Sequence, residues 1–195
     1  MNGNFSPLKT IEKAILDAKD NILVKNAAAG DENAFSTLVS LHKKKVAALG
    51  FSFFKNAEDA DDFVQDVFLC VFRTLKSFRG ESSFSTWLMR LSYNLASTAK
   101  NRRKDYLPIS DEESINSEYE TPEEEEIKRV TKEAIKESVA SLPEKYALCV
   151  ELYFFYDKSY EEISGITSLP LNTIKSHIFR AKRILREKLR EFYEK

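Results

Sequence analysis

Turn-forming residues are scarce in this chain of 195 residues, which has 5 glycines and 5 prolines. Leu, Ala, Glu, Lys and Ile are abundant and spaced as in helices, so the scarcity points to an all-α fold. Cysteine is rarer still: Cys70 and Cys149 stand far apart, with no CxxC spacing. That excludes a disulfide-framed secreted scaffold and fits reduced thiols in the cytoplasm. No apolar run approaches the roughly 20 residues needed to cross a bilayer. The first residues lack the basic-then-apolar order of an export signal. The 2 histidines and 2 cysteines share no metal-ligand spacing, and no P-loop, GxSxG or HExxH pattern occurs. The sequence therefore leads to no expected catalytic residue, metal or cofactor.

Charge of one sign is lacking overall, with a net of -1, but its distribution is uneven. Residues 1–104 are mildly basic and residues 128–195 are mildly basic again. Between them, residues 105–127 hold no Lys or Arg and a run of carboxylates, including Glu123 to Glu126. With Pro108, Pro122 and no periodic apolar face, this strip reads as a self-repelling linker over 105–124. Thr121-Pro-Glu-Glu124 has the capping form of a helix start. The expected organisation begins with an N-terminal extension over 1–21, with one helix from Leu8 to Ala18. Next come a helical domain over 22–104, the linker, and a second helical domain over 125–195.

In the second domain, Ser141-Leu-Pro-Glu144 and Ser159-Tyr-Glu-Glu162 both have the capping-box pattern. The second box opens a short helix. A turn from Gly165 to Leu169 comes next, and Pro170 then suits the first turn of a long final helix. On that helix Ile174, Ile178, Ala181, Leu185 and Phe192 form the inward stripe. Lys175, Phe179, Lys182, Arg183, Arg186 and Arg190 form another, and the seven basic residues against one acid from Asn172 to Arg190 make the helix strongly basic. A short capped helix, a turn and a basic helix make a helix-turn-helix, whose second helix enters a DNA major groove. Side chains near its start reach base edges, and later cations meet phosphates.

Here the chain resembles the extracytoplasmic-function class of bacterial RNA polymerase sigma factors. Ser141-Leu-Pro143, Tyr160-Glu-Glu-Ile163, Pro170, Thr173-Ile-Lys-Ser176 and Arg180-Ala-Lys182 look like that family's −35-binding domain. Ser168 stands where the family often has a turn glycine. Asn172 replaces another frequent glycine and tolerates left-handed backbone, and His177 takes a position often filled by Arg. The resemblance implies that Lys175, Ser176, His177, Phe179, Arg180, Arg183 and Arg186 contact the −35 element.

The first domain carries two more matches. In Asp59-Ala-Asp-Asp-Phe-Val-Gln-Asp-Val-Phe68, an apolar stripe of Val64, Val67, Phe68, Val71 and Leu75 leaves Asp62, Gln65 and Asp66 outward. The segment is similar to the family's polymerase-binding helix, which implies that Asp59, Asp62, Gln65 and Asp66 meet the β′ clamp. Phe78-Arg-Gly-Glu-Ser-Ser-Phe84, followed by Thr86-Trp-Leu88, looks like the family's −10 melting loop. A loop with glycine and hydroxyls suits an extruded base, with aromatic and cationic neighbours for single-stranded DNA. Phe78, Arg79, Glu81, Ser82 and Ser83 are its expected contacts. Arg90, Asn94, Ser97, Asn101 and Lys104 continue as one polar face of the next helix, opposite Leu88, Leu91, Leu95 and Thr98. Trp87, Phe84 and His42 fit the core better than a site.

The resemblance further implies core RNA polymerase (β′ clamp and β flap), promoter DNA and an anti-sigma factor as partners, in a stress or envelope response. Two rival readings explain less. A free-standing helix-turn-helix regulator leaves 58–104 without a purpose. An enzyme holding Mg²⁺ on Asp61, Asp62 and Asp66 lacks a second set of ligands.

Overall fold

The structure is a computed structural model that describes the backbone of residues 7–103, 131, 134, 135 and 137–193. Among the described residues all regular structure is helical, and no helix is long and apolar enough to cross a membrane. The chain divides into two compact units, Met1–Asp111 and Glu112–Lys195. The acidic stretch expected as a linker, the Thr121 cap and Lys104 all lie outside the described residues.

The first unit is built of α1 (Pro7–Ala28), α2 (Glu32–Phe54), α3 (Ala57–Thr74) and α4 (Phe84–Arg103). Side-chain caps set two of the starts. Asp31 accepts from the amides of Asn33 and Ala34 at the head of α2. Asn56 accepts from that of Glu58 at the head of α3, a class of contact worth about 1 kcal/mol. Lys55, at φ 55°, makes the sharp turn between these two helices. Gly50 lets them approach: a Cβ built there would stand 2.7 Å from Cδ1 of Phe63. Leu38, Val46, Val67, Val71, Phe84 and Leu88 fill the core between α2, α3 and α4. Each large side chain so buried contributes roughly 1.5–3 kcal/mol.

Two expectations change here. Of the expected extension 1–21, the described residues 7–21 are not separate from the first unit, because α1 runs unbroken through residue 21. Val24 lies in the core and Asp20 is fully buried. On α4 the buried ridge is Phe84, Leu88, Ser92 and Ala96, with Met89 beside it. Leu91 and Leu95 are half-buried flanks, and Thr98 is exposed and donates to the carbonyl of Asn94. Small residues at 92 and 96 bring this ridge close to its neighbours, which a count of leucines does not reveal.

The second unit contains helical backbone over 137–140, then α5 (Glu144–Val150), α6 (Tyr160–Thr167) and α7 (Leu171–Tyr193). Its core gathers Val139, Leu142, Val150 and Ala181, with Tyr146, Ala147, Ile184 and Leu185 packed against it. Ser159 forms the expected capping box: its hydroxyl accepts from the Glu162 amide, and the Glu162 carboxylate accepts from the Ser159 amide. Ser141 does not. Pro143 takes the cap position of α5, and the Ser141 hydroxyl instead donates to the carbonyl of Ser138. α5 runs directly into a π-helical turn over Glu151–Phe155, and the Tyr156 amide donates to the Glu151 carbonyl.

Candidate nucleic-acid interface

The tightness of the turn between α6 and α7 fixes how α7 is presented. Ser168 adopts φ 60°, and its amide bonds to the carbonyl of Ser164. The Ser164 hydroxyl donates to the Leu169 carbonyl, and the Thr167 hydroxyl accepts from the Leu169 amide. The left-handed residue is therefore Ser168 and not Asn172, which is already helical. The carbonyl of Pro170 accepts from Thr173 and Ile174, starting α7.

Ile174, Ile178 and Ala181 anchor α7 in the core. Its outer face presents Lys175, Ser176, Phe179, Arg180 and Arg183 around one shallow concavity of about 520 Å³. Phe179 is 71% exposed, an unusual position for a phenylalanine in a monomer surface. Arg186 continues the exposed row. Three cations, a hydroxyl and an uncovered aromatic ring on the leading turns of one helix suit base edges and phosphates together.

His177 is a correction. Expected among these contacts, it is buried: its Nδ1 lies 3.7 Å from Cys149 Sγ, and its ring packs on Tyr146 at 5.1 Å. Burial, with the nearby charges of Lys145 and Arg180, lowers its pKa below the usual histidine value. Cys149 beneath it is fully buried, and desolvation pushes its thiol up to about 11, which makes it inert in the folded chain. Successive positions on α7 differ by about 100° in direction, so Ser176 faces outward while its neighbour His177 faces inward.

The structure also shows contacts the sequence did not suggest. Arg180 bonds to the phenol oxygen of Tyr146. Lys182 is turned away from the concavity and lies over the rings of Tyr153 and Phe154, at 5.7 and 5.2 Å. Tyr153 stacks on Tyr160, and Phe154 and Phe155 are about half exposed. The aromatic run Tyr153-Phe-Phe155 is visible in the sequence, and its even spacing with no helical face is the signal that some of it must remain outside.

In the first unit, Asp62, Gln65 and Asp66 share the exposed side of α3, and Asp59 is half-buried at its start. Leu69 and Phe72 extend the same side, 54% and 64% exposed. Phe72 meets Phe35 edge-on. The face is thus polar at one end and apolar at the other, and the i, i+3, i+7 spacing from Asp62 to Leu69 was the available clue.

The loop between α3 and α4 is exposed from Arg79 to Ser82. Gly80 holds φ 72° at its apex with open space around it. Arg79 and Glu81 approach at 3.9 Å while almost fully exposed, a contact of little energetic weight. Ser83 is half-buried and caps α4, its hydroxyl accepting from the Thr86 amide. Phe78 is half-buried and packs on Trp87 and Phe84, with ring centroids 5.3 and 6.0 Å away. Beyond the loop, Arg90, Asn94 and Asn101 line the exposed side of α4.

Comparison with known proteins agrees with this division. Residues 38–106 match the family Sigma-70 region 2, and residues 132–185 match Sigma-70, region 4. The chain is 34% identical over 180 residues to the ECF RNA polymerase sigma-E factor of Haemophilus influenzae, covering 87% of this chain and 95% of that protein. The protein of the same name from Escherichia coli is 34% identical over 183 residues, covering 87% and 94%. Among solved structures, the sigma factor RpoE of Bartonella quintana, in complex with the anti-sigma factor NepR, superposes with a TM-score of 0.65. The two chains are 22% identical over 80% of this chain and 96% of that one. CnrH, in complex with the cytosolic domain of CnrY, gives a TM-score of 0.62 at 24% identity, over 89% and 98%.

Proposed function

The chain belongs to the extracytoplasmic-function class of RNA polymerase sigma factors, which direct the polymerase in transcription initiation, and we propose how its surfaces divide that work. Residues 125–195 read the −35 element through Lys175, Ser176, Phe179 and Arg180, with Arg183 and Arg186 nearer phosphates. The observation that carries this assignment is the concavity on α7, where Phe179 stands uncovered among cations. Residues 22–104 bind core polymerase through Asp59, Asp62, Gln65 and Asp66, with Leu69 and Phe72 supplying apolar area beside them. Phe78, Arg79, Glu81, Ser82 and Ser83 act at the −10 element, and Arg90, Asn94, Asn101 and Lys104 follow the DNA beyond it.

The acidic stretch 105–124 joins the two halves. The chain works without chemistry of its own, since the polymerase supplies the nucleotide chemistry and its metals. It acts where the polymerase is, in the cytoplasm. An anti-sigma factor is a further proposed partner, on the ground that the Bartonella quintana protein was captured with one. A stress or envelope signal would then act by releasing the chain.

Run-off transcription with purified core polymerase and a promoter library tests these assignments. Specific initiation should require both the chain and the core enzyme, and the products should reveal both elements. Replacing Gln65 and Asp66 with Ala should weaken association with core polymerase while leaving the melting temperature nearly unchanged. Tight, specific binding of duplex DNA without polymerase, and no run-off product, would point to a free-standing regulator instead.

A further inference from the structure

The first unit buries one polar pair whose position is unexplained by promoter or polymerase contact. Asp20 on α1 and His42 on α2 are 0% and 2% exposed. His42 Nε2 lies 3.0 Å from each carboxylate oxygen, with its directed hydrogen bond to Oδ1. Oδ2 has no hydrogen-bond partner of its own among the described residues. Two apolar side chains would pack here with less desolvation cost. What an apolar pair lacks is direction. A ring N–H that must point at a carboxylate holds the imidazole in one plane.

That plane is used. The His42 ring meets Phe84 edge-on, with centroids 5.3 Å apart and planes at 70°. Phe84 is the first residue of α4 and is completely buried. Its ring touches Phe78 at 6.0 Å and Trp87 at 5.8 Å, and those two pack on each other at 5.3 Å. Phe78 and Phe84 are the two ends of the loop Arg79–Ser83. Phe84 therefore rests on a ring whose orientation is fixed from α1, and Phe78, the other anchor of the loop, rests in turn on Phe84.

We propose that Asp20 and His42 are positioning residues for promoter opening: the Asp20 carboxylate orients His42, and His42 seats the Phe84–Phe78–Trp87 cluster from which the Arg79–Ser83 loop departs. Neither residue touches DNA. The inference rests on assigning that loop to the −10 element, and it gives α1 a part in opening as well as in the core.

The test compares open-complex formation by holoenzyme on a duplex promoter and on one with a pre-melted −10 bubble. In Asp20→Leu/His42→Leu no buried polar group is stranded. It should bind core polymerase as the parent does, open duplex DNA at least about tenfold more slowly, and recover most of that loss on the pre-melted template. His42→Gln guards against misfolding of the double variant. Its amide still donates to Asp20, but the ring on Phe84 is gone, so it should show the same template-dependent defect. Asp20→Asn keeps an acceptor and should open within about threefold of the parent. Trp87 is the only tryptophan, so its emission reports the cluster directly. It should shift in the double variant and in His42→Gln but not in Asp20→Asn.

Normal duplex opening by folded His42→Gln overturns the proposal, as does an equal loss on both templates. A Glu81→Ala/Ser82→Ala variant run in parallel separates the two ideas. If it opens duplex DNA normally, the loop assignment fails and this inference falls with it. If it is defective while the Asp20 and His42 variants are normal, only the inference falls.

Discussion

Nη1 of Arg180 donates to the phenol oxygen of Tyr146 at 3.4 Å, joining the exposed face of α7 to α5. That hydrogen bond, with the charges of Arg180, Lys145 and Arg183, lowers the Tyr146 pKa below the ordinary phenol value despite opposing desolvation. Arg180→Ala should therefore raise the Tyr146 pKa, as followed by NMR titration of labelled tyrosine. The same substitution should cost about 1–3 kcal/mol in −35 binding and relax preference at one base position. Unchanged preference would make Arg180 a backbone contact. Tyr146→Phe keeps the ring on His177 and removes only the acceptor, so its effect on affinity should be the smaller of the two.

Arg186 lies further along the exposed row of α7, where phosphate contact is expected and base contact is not. Arg186→Ala should weaken binding to all −35 sequences alike and reduce the slope of log affinity against log salt by about one. A sequence-dependent loss in the same titration would move Arg186 into the base-reading group.

Ser168 holds a left-handed conformation at φ 60° that glycine adopts without steric cost. Ser168→Gly should stabilise the second unit by roughly 0.5–1 kcal/mol, seen as a higher melting temperature. A lower one would show that the serine side chain contributes more than its backbone conformation costs.

His177 gives the second unit a defined pH response. Its pKa in the fold lies below the ordinary 6.5, chiefly through burial. Between the folded and unfolded values the unfolded chain binds more protons, so stability rises with pH across that window. Its contribution is complete above the unfolded value and is lost as pH falls through it. Denaturation of the second unit should accordingly become easier as pH falls below the ordinary histidine value, and His177→Gln should flatten that trend. An unaltered trend in the variant would assign it to other groups.

How far the sequence led depends on the element. Apolar periodicity led closely to α3, because Val67, Phe68, Val71 and Leu75 repeat at helical spacing and are all buried. Ser159 with Glu162 announced α6, since both partners of its capping box lie within one turn. Failures came where tertiary contact decides. Ser141 has the same local pattern, yet Pro143 takes the cap position. Ser92 and Ala96 carry the α4 ridge because small residues permit close approach, a property invisible to hydrophobicity counts. The inward turn of His177 depends on Cys149 and Tyr146 waiting beneath it. The pair Asp20 and His42 is separated by 22 positions, and no local pattern links them.

Among the described residues, the core of the first unit gathers residues up to Ala96 and that of the second gathers residues from Val139 onward. This separation has a genetic consequence. A crossover between related genes in the acidic stretch would keep each of these two sets of core residues together. On the assignments proposed above, one recombination event would pair the upstream preference of one lineage with the downstream preference of another.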